Sequence, residues 1–437
     1  MRVSFLTLGC KVNQYETQAM RSLFEKEGYQ LVSEEEPADV CIVNSCSVTN
    51  MADRKSRQMI RKMKKMKPDC IVAVTGCYAQ TGTEALQEMP EVDIIAGTNE
   101  KTGLPELVKR FAADRERITR VLGYRDLDRF DEMGIVEAME GRTRAYIKIQ
   151  EGCNRFCAYC IIPHARGPVR SRREEDILEE ARHLLNAGYR ELVLTGINTA
   201  LYGSEEDGES KLDRLIGKID AMEGDFRIRL SSLEPTVINE EFVRKLFPFQ
   251  KLCRHVHLSV QSGSDRVLRE MNRRYDREEY LRIVRTLKEF DPEYGISTDI
   301  IVGFPGDAEE DFEQSLKMAG ECGFCRVHVF RYSKRKGTPA AARKDQVPSK
   351  EKNRRSALLI GAGEKAEKEF IRRNLGKTRP VLFEEYLPEE RMLTGYTDNY
   401  VKVYVKTGPE TAEKTLNTLR NTELRDYCID GAEGVLL

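Results

Sequence analysis

The sequence predicts a multidomain α/β protein with an N-terminal open α/β sheet, a partial (β/α)6 barrel and a small C-terminal antiparallel β-barrel. The chain has 437 residues, which exceeds one ordinary domain of about 100–200 residues. Short apolar runs alternate with helical stretches over residues 1–135 and again over 141–370, the pattern typical of parallel sheets. Residues 373–437 instead carry short alternating strands separated by turns. We therefore predict three domains with these boundaries.

Composition excludes some classes of protein and leaves others open. The formal net charge is −1, so binding of nucleic acid has to depend on local basic patches rather than on overall charge. The chain has no run of 18 apolar residues and no N-terminal signal, so we expect no membrane span and a cytoplasmic location. The 12 cysteines are then expected to be reduced thiols that bind metal rather than disulfides.

The N-terminal domain is predicted from four short apolar strands, at residues 3–7, 39–44, 71–75 and 92–96. Cysteines come directly after three of these strands, at Cys10, Cys46 and Cys77. The carboxyl ends of parallel strands lie at one edge of a sheet, where ligands bind, so we expect the three thiols to meet and to bind metal. Cys41 and Cys70 lie inside or at the start of strands, and we interpret them as packing residues.

The stretch 53–67 predicts an amphipathic helix with a basic polar face. Met59, Ile60, Met63 and Met66 recur at helical spacing, and eight Lys and Arg residues follow Asp53 without another acid. A surface of one sign is typical of proteins that bind a polyanion such as nucleic acid. An ordinary solvated helix face explains the pattern nearly as well. Residues 112–140 are charged and lack a pattern, and we interpret them as an interdomain linker.

Six strand–helix units are predicted in the middle of the chain, with strands at residues 145–150, 191–195, 226–231, 255–260, 297–302 and 326–330. Six units are fewer than the eight of a closed barrel, so we predict a barrel that is open on one side for a large substrate. Glycines and small hydroxyl residues follow four strands, at residues 195–198, 231–235, 261–264 and 303–306. Such loops allow a backbone to approach a ligand closely, although any one of them also fits an ordinary turn.

A C-x3-C-x2-C motif, Cys153, Cys157 and Cys160, directly follows the first barrel strand. Three thiols on one loop can ligate three irons of a [4Fe–4S] cluster and leave the fourth iron for another ligand. A zinc site is the alternative. It usually needs C-x2-C pairs and a fourth ligand, for which His164 is the only close candidate. We favour the cluster here, and a second three-cysteine site in the N-terminal domain.

The C-terminal region begins with a basic cluster at residues 331–336 and a charged helical connector at 349–373. Four short strands follow at residues 379–386, 391–397, 400–405 and 423–429. This pattern predicts a small antiparallel β-barrel, a shape that often binds nucleic acid. A dimerisation or capping module explains the same pattern nearly as well.

Taken together, these motifs resemble the methylthiotransferase family of radical-SAM enzymes, with a C-terminal β-barrel of the TRAM type, over essentially the whole chain. The resemblance is carried by residues 8–16 (LGCKVNQYE), 43–49 (VNSCSVT) and 152–167 (GCNRFCAYCIIPHARG). They are most similar to the branch that converts N6-threonylcarbamoyladenosine at tRNA position 37 into its 2-methylthio form. The isopentenyladenosine branch usually carries Gln-Met rather than Lys-Val after the first cysteine. The branch that modifies an aspartate of a ribosomal protein is a more distant match.

The resemblance implies two [4Fe–4S] clusters and S-adenosylmethionine (SAM) as cofactors. The radical-generating cluster would have as ligands Cys153, Cys157 and Cys160. The auxiliary cluster, which carries the sulfur to be inserted, would have as ligands Cys10, Cys46 and Cys77. Tyr159 would lie against the adenine of SAM. Thr195, Gly196 and Asn198 occupy the strand end where the superfamily binds the methionine amino group, although the superfamily's Glu is absent. Expected ribose and carboxylate neighbours are Ser231 and Gln261.

The implied reaction adds sulfur and a methyl group at C2 of adenosine 37. One SAM methylates the sulfur, a second SAM is cleaved to a radical that abstracts the C2 hydrogen, and the sulfur then attacks that carbon. The implied partners are tRNA, bound at its anticodon loop by the basic clusters and the β-barrel, an electron donor such as flavodoxin or ferredoxin, and a sulfur donor. Two alternatives remain, namely isopentenyladenosine 37 as the substrate and a metal-stabilised RNA-binding protein without catalysis.

Overall fold

The computed structural model describes residues 1–136 and 143–437. The predicted start of the barrel domain at residue 141 and the end of the predicted linker, residues 137–140, lie outside the described residues. None of the described helices is both long and apolar enough to cross a membrane.

The N-terminal region forms one parallel sheet. Its strands are β1 Arg2–Thr7, β2 Gln30–Leu31, β3 Val40–Ser45, β4 Ile71–Gly76, β5 Ile94–Ala96 and β6 Ile118–Arg120. Its helices are α1 Lys11–Lys26, α2 Asn50–Met66, α3 Cys77–Thr81, α4 Thr83–Gln87 and α5 Leu104–Asp114. The strand order is β2-β1-β3-β4-β5-β6. Because β3 and β4 are buried at every residue, they are continuous apolar runs in the sequence.

The predicted linker is wrong at its beginning. Residues 112–114 complete α5, and β6 is the sixth strand of the sheet rather than part of a connection. Only Ile118 of β6 is buried, so the strand has no apolar run that a sequence pattern could reveal. Further along, Leu127, Met133 and Val136 are also buried. This segment therefore packs against the protein along much of its length.

Six parallel strands form the predicted partial barrel: β7 Arg144–Lys148, β10 Glu191–Thr195, β11 Arg227–Leu230, β13 His255–Leu258, β14 Gly295–Val302 and β15 Arg326–Arg331. Three short strands accompany them: β8 Gln150–Glu151, β9 Arg170–Ser171 and β12 Ser232–Leu233. The sheets β11-β10-β7 and β12-β13-β14-β15 meet where Ile228 pairs with Leu252. Among the described strands, β7 and β15 do not pair, so the barrel is open between them as predicted.

Helices cover the outside of this barrel. They are α6 Ile162–Arg166, α7 Glu174–Asn186, α8 Leu212–Asp220, α9 Glu240–Leu246, α10 Asp265–Glu270, α11 Arg277–Phe290, α12 Glu309–Glu321, α13 Pro339–Ala342 and α14 Ser349–Asn374. Leu184, Leu215, Ile283 and Leu359 from four of them belong to one continuous buried core that also includes residues of the N-terminal sheet. The two regions are thereby packed as one unit.

The C-terminal strands form a closed barrel, as predicted. They are β16 Thr378–Leu387, β17 Met392–Thr397, β18 Lys402–Lys406, β19 Leu419–Cys428 and β20 Gly431–Leu436, with α15 Pro409–Thr415 between β18 and β19. The closed order is β16-β17-β18-β20-β19. The sequence did not predict β20 or α15, because β20 contains two glycines and α15 is only seven residues long.

The C-terminal barrel closes the amino-terminal end of the (β/α)6 barrel. Arg227 at the start of β11 donates a hydrogen bond to the Tyr396 carbonyl at 3.0 Å. Asn399 Nδ2 donates to the Glu293 carbonyl at 2.8 Å, and the Tyr400 ring stacks on His255 at 4.6 Å between centroids. The opposite, carboxyl-terminal end, where barrels of this kind bind their ligands, remains open.

Candidate functional site

Cys153, Cys157 and Cys160, called here the loop triplet, lie at the carboxyl-terminal end of the (β/α)6 barrel. The loop is folded tightly, with Cys153 N donating to the Gly167 carbonyl at 3.0 Å and Cys160 N donating to the Cys157 carbonyl at 2.9 Å. Gly152, before the first cysteine, has φ +72°, and a Cβ there would lie 1.8 Å from the Pro168 carbonyl oxygen. Only glycine fits this close backbone approach.

Cys10, Cys46 and Cys77, called here the strand-end triplet, follow β1, β3 and β4 at one edge of the N-terminal sheet. Cys10 precedes α1, and Cys77 is the first residue of α3. At Gly9, φ is +116° and an added Cβ would lie 3.0 Å from Cys46 Cβ. The absence of a side chain at Gly9 therefore lets the first two cysteine-bearing loops approach each other.

The thiols of the strand-end triplet lie close enough to influence one another. Burial, and then the Cys77 thiol, raise the pKa of Cys46 to about 12. Burial also raises the pKa of Cys10, with Arg166 opposing that rise and Cys77 adding to it. In the loop triplet, burial and then Cys157 raise the pKa of Cys160 to about 12. Thiols of this kind become thiolate ligands when a metal replaces their protons.

The donor set of both triplets suits an iron–sulfur cluster better than a single ion. Within the described residues, no three His, Cys, Asp or Glu side chains are gathered closely enough to hold one metal ion. A [4Fe–4S] cluster places each thiolate on a different iron, so its ligands lie further apart than the ligands of one zinc ion. Three sulfur donors in each set leave one iron of each cluster for another ligand.

A cleft of about 270 Å³ lies beside the loop triplet. Of the predicted SAM-binding residues, Tyr159, Asn198 and Gln261 line this cleft. Thr195 and Ser231 are buried behind it. An added Cβ at Gly196 would lie 3.0 Å from the Gln150 carbonyl, so this glycine faces the neighbouring strand.

The buried oxygens near this cleft that have no hydrogen-bond partner in the described part of the chain include Asn198 Oδ1 and Ser231 Oγ. Buried polar atoms are nearly always satisfied, so these two suit a polar ligand. The Asn198 backbone is held by a 2.8 Å hydrogen bond from its N to Gln150 Oε1. Gln261 is also constrained, because its backbone has φ +66°, a strained value for a residue with a side chain.

Sequence reasoning assigned no role to three charged residues that line the cleft, namely Glu234, Arg273 and Asp299. Arg273 Nη2 donates to the Tyr159 hydroxyl at 2.6 Å and fixes that ring. Glu234 lies between Arg273 at 3.4 Å and Arg155 at 3.2 Å. Glu234 supplies a carboxylate to a cleft in which the β10 turn has none. It stands in the strand-end loop 231–235, where ligand binding was predicted without naming the acid.

A buried network connects the two triplets. Arg166, six residues after Cys160, is completely buried, and its Nε donates to Cys77 Sγ at 3.1 Å. Its Nη2 donates to Asn13 Oδ1 at 2.7 Å, and its Nη1 donates to Glu16 Oε1 at 2.5 Å. Asn13 in turn donates to the Ser45 carbonyl at 3.0 Å, one residue before Cys46. No sequence signal indicated this contact.

The basic stripe of α2 is only partly available to a ligand. Lys64 pairs with Asp93 at 2.7 Å, Arg61 lies 3.6 Å from Glu91, and Lys67 pairs with Asp39. The exposed remainder is Arg54, Lys55, Lys62 and Lys65. In the second basic cluster, Arg335 is buried against Asp53 at 2.8 Å and so joins two domains, while Lys334 and Lys336 are exposed. Part of the predicted polyanion surface therefore serves internal ion pairs.

The fold and the loop triplet define a radical-SAM enzyme. Residues 147–319 match the Radical SAM superfamily, and residues 2–97 match a group described as uncharacterized protein family UPF0004. The fold is similar to that of the radical S-adenosylmethionine methyltransferase TsrM from Kitasatospora setae, with a TM-score of 0.59, 15% identity and coverage of 78% of this chain and 76% of that chain. The cobalamin-dependent S-adenosylmethionine radical enzyme OxsB has a TM-score of 0.51 at 12% identity, covering 85% of this chain and 56% of that chain.

Relatives narrow the class. The chain is 42% identical over 408 residues to threonylcarbamoyladenosine tRNA methylthiotransferase MtaB of Bacillus subtilis, covering 92% of this chain and 90% of the relative. It is 36% identical to tRNA-2-methylthio-N(6)-dimethylallyladenosine synthase of Carboxydothermus hydrogenoformans, covering 98% of each. The chain therefore belongs to the methylthiotransferase family of radical-SAM enzymes. The predicted cofactors, [4Fe–4S] clusters and SAM, are confirmed at this level, and the non-catalytic alternative no longer stands.

Proposed function

We propose that this protein converts N6-threonylcarbamoyladenosine 37 of tRNA into its 2-methylthio form. The observation that carries the proposal is the presence of two three-cysteine sites joined through the contact between Arg166 and Cys77. One site is sufficient to generate a radical from SAM. The second site supplies what a methylthiolation needs in addition, namely a place for the sulfur that is inserted.

The residues of the cleft then bind and orient SAM. Asn198 and Ser231 offer unpartnered buried oxygens, Gln261 lines the cleft, and Tyr159 is fixed by Arg273 for contact with the adenine. A [4Fe–4S] cluster on the loop triplet, with SAM, supplies the radical chemistry that the non-acidic C2–H bond of adenine requires. The close backbone approach at Gly152 fixes the loop that carries the three cysteines, so a cluster bound there would have one position relative to the cleft.

The macromolecular substrate is bound where the (β/α)6 barrel is open, at its carboxyl-terminal end and along the gap between β7 and β15. Base 37 lies in an anticodon loop, and unpaired bases can be turned outward into a protein pocket. The exposed lysines and arginine of α2, with Lys334 and Lys336, are available for phosphates. An electron donor such as flavodoxin or ferredoxin and a sulfur donor complete the partners, and a cytoplasmic location follows from the tRNA substrate.

Lys11 favours the threonylcarbamoyl group over the isopentenyl group. It is exposed, and within the described chain it donates no hydrogen bond and forms no ion pair. Burial of its ammonium group lowers the pKa of Lys11, and its titratable neighbours include Tyr400, Arg229, Glu191 and Arg144. Glu191 is already paired with both arginines at 2.9 and 3.6 Å. A free ammonium group in these surroundings suits the threonyl carboxylate, whereas an apolar isopentenyl group would leave it without an anion.

Mass spectrometry of tRNA nucleosides from a strain lacking the gene tests the substrate. We expect the 2-methylthio-threonylcarbamoyl nucleoside to disappear and its unmodified precursor to accumulate. Loss of the 2-methylthio-isopentenyl nucleoside instead would refute the proposed substrate and support the second candidate.

The Lys11→Met variant tests whether Lys11 selects the threonylcarbamoyl group. With tRNA that carries the threonylcarbamoyl group, kcat/KM should fall about 10- to 100-fold, the value of one charged hydrogen bond. Lys26→Met, on the exposed last turn of the same helix, should match the wild type. If the carboxylate is masked as an amide, wild type and Lys11→Met should become equal; a persisting difference would contradict this role.

A further inference from the structure

Arg166 belongs to the segment of the loop triplet, yet it contacts a cysteine of the strand-end triplet. It ends α6, and Gly167, the next residue, accepts the 3.0 Å backbone hydrogen bond from Cys153. Its guanidinium donates to Asn13 and Glu16 on α1, and these bonds direct Nε at Cys77 Sγ. Because a guanidinium is planar and rigid, its hydrogen bonds to Asn13, Glu16 and Glu151 determine where Nε meets the Cys77 sulfur relative to the loop triplet.

The charges around Arg166 do not balance. The ion-paired cluster contains three cations and two carboxylates, all at most 3% exposed: Lys101, Lys148, Arg166, Glu16 and Glu151. One positive charge is therefore in excess. A buried charge without a counterion is unfavourable, and the Cys77 sulfur is the acceptor of Arg166 that can take up the negative charge.

The loop triplet has different surroundings. Two arginines, Arg155 and Arg273, lie near its thiols. Both pair with Glu234, at 3.2 and 3.4 Å, and Arg273 also donates to the Tyr159 hydroxyl at 2.6 Å. The sulfurs of this triplet accept hydrogen bonds from the backbone, for example from Ile162 N to Cys160 Sγ at 3.4 Å. Hydrogen bonds to the ligand sulfurs and local net charge are two of the factors that set the potential of an iron–sulfur cluster. The first factor differs between the triplets, because a buried guanidinium donates to Cys77 Sγ whereas a backbone N–H donates to Cys160 Sγ.

We propose that Arg166 is a positioning residue that holds the Cys77 sulfur through its Nε–H and makes a cluster on the strand-end triplet easier to reduce than it would be without this arginine. The N–H···S hydrogen bond and the surplus positive charge both stabilise the reduced, more negative cluster. The inference rests on the proposed function only in taking a cluster to occupy this triplet. It assigns Arg166 a role in setting the difference between the two sites.

The test uses the full chain with Cys153, Cys157 and Cys160 changed to Ala, so that one cluster remains. After anaerobic reconstitution with iron and sulfide, the midpoint potential is measured by dithionite titration followed by electron paramagnetic resonance. Arg166→Gln removes both the positive charge and the N–H donors of the guanidinium. The midpoint potential of the cluster in this variant should therefore move to more negative values. Arg166→Lys keeps the charge but loses the directed Nε–H, so its midpoint should lie between those of Arg166→Gln and the parent.

A variant that removes a negative charge, instead of a positive one, provides the second part of this test. Glu16→Gln increases the positive surplus by one, so its midpoint should move to less negative values than the parent. Arg110→Gln removes an exposed arginine on α5 and should leave the midpoint unchanged. Shifts of opposite sign for Arg166→Gln and Glu16→Gln support the proposal. Unchanged midpoints, or shifts of the same sign, overturn it.

Failure of this proposal is distinguishable from failure of the proposed function. If the midpoints shift as expected while the wild type does not methylthiolate threonylcarbamoyl tRNA, the substrate is wrong and the role of Arg166 stands. If the wild type modifies that tRNA but the Arg166 and Glu16 variants keep the parent midpoint, the function stands and this role does not. A structural role alone would change stability without this pattern of potentials.

Discussion

The two cysteine triplets, each proposed to ligate a cluster, are assembled in opposite ways. The loop triplet lies within eight consecutive residues and is shaped by local backbone hydrogen bonds. The strand-end triplet is assembled from three loops separated by about 30 residues, and it meets Arg166 from another domain. The first is therefore a property of a short segment, whereas the second depends on the packing of the N-terminal sheet against the barrel.

This difference in assembly predicts which substitutions should damage each site. Damage to the loop triplet should act locally on SAM chemistry. Damage to the strand-end triplet should also follow from changes in the buried ion pairs around Glu16 and Arg166, because those pairs connect the domains. The following predictions test this contrast from the largest expected effect to the smallest.

The largest effect is expected from removing each triplet as a whole. Changing Cys153, Cys157 and Cys160 to Ala should abolish SAM cleavage, and changing Cys10, Cys46 and Cys77 to Ala should abolish methylthiolation while SAM cleavage continues. Each triple variant should lose about half of the bound iron, since two similar clusters are involved. Iron analysis and chromatography of 5′-deoxyadenosine measure these outcomes. Unchanged iron in the second variant would refute a cluster at the strand ends.

Glu16→Gln should have the next largest effect, a loss of about 3–5 kcal/mol in the free energy of unfolding at pH 7, as for other broken buried ion pairs. Despite burial, Arg166 and its neighbouring lysines hold the pKa of Glu16 well below its usual range. The ionised carboxylate therefore stabilises the fold fully above about pH 4.3, and that stability is lost as the pH falls further.

Denaturant unfolding of the apoprotein between pH 7 and pH 3 measures this dependence. The variant should lose stability less steeply with acid than the wild type does. Glu27→Gln is the matched control at the C-cap of α1, because Glu27 forms an exposed pair with Lys109 at 2.6 Å. Its removal should cost at most about 0.5 kcal/mol. Equal losses in the two variants would contradict a special role for the buried network.

Gly152→Ala should cost about 2–3 kcal/mol, since left-handed strain of about 1–2 kcal/mol is added to a contact with Pro168. Gly28→Ala isolates the strain, because Gly28 has φ +79° and nothing lies within 4 Å of an added Cβ. Thermal unfolding of both variants measures the difference. Equal melting temperatures would show that the close approach at Gly152 does not restrain the loop.

The smallest effect is expected from the packing cysteines. Cys41→Ala and Cys70→Ala remove buried sulfurs from the sheet and should each cost about 1 kcal/mol, as for other small core truncations. Both variants should keep the full iron content, unlike any variant of the two triplets. A loss of iron in either variant would show that the substituted cysteine is a cluster ligand and not a packing residue.

Local spacing was enough to predict much of the protein. The C-x3-C-x2-C motif after a strand indicates the loop triplet, because a cluster needs its thiols at short range. Cys10, Cys46 and Cys77 were also predictable, because parallel strands separated by single helices place their carboxyl ends at one edge. The sequence did not predict β6 or β20, because neither strand has an apolar run that distinguishes it from a loop.

Only the tertiary structure decided how these parts combine. Arg166 is one of many arginines in the sequence until folding places its Nε 3.1 Å from Cys77. The pairing of Lys64, Lys67 and Arg335 with acids distant in the chain likewise reduces a basic stripe that the sequence presents as uniform. Hydrophobic periodicity in a segment indicates its secondary structure and which of its faces is buried. Contacts between domains depend on side chains far apart in the chain, and no local pattern encodes them.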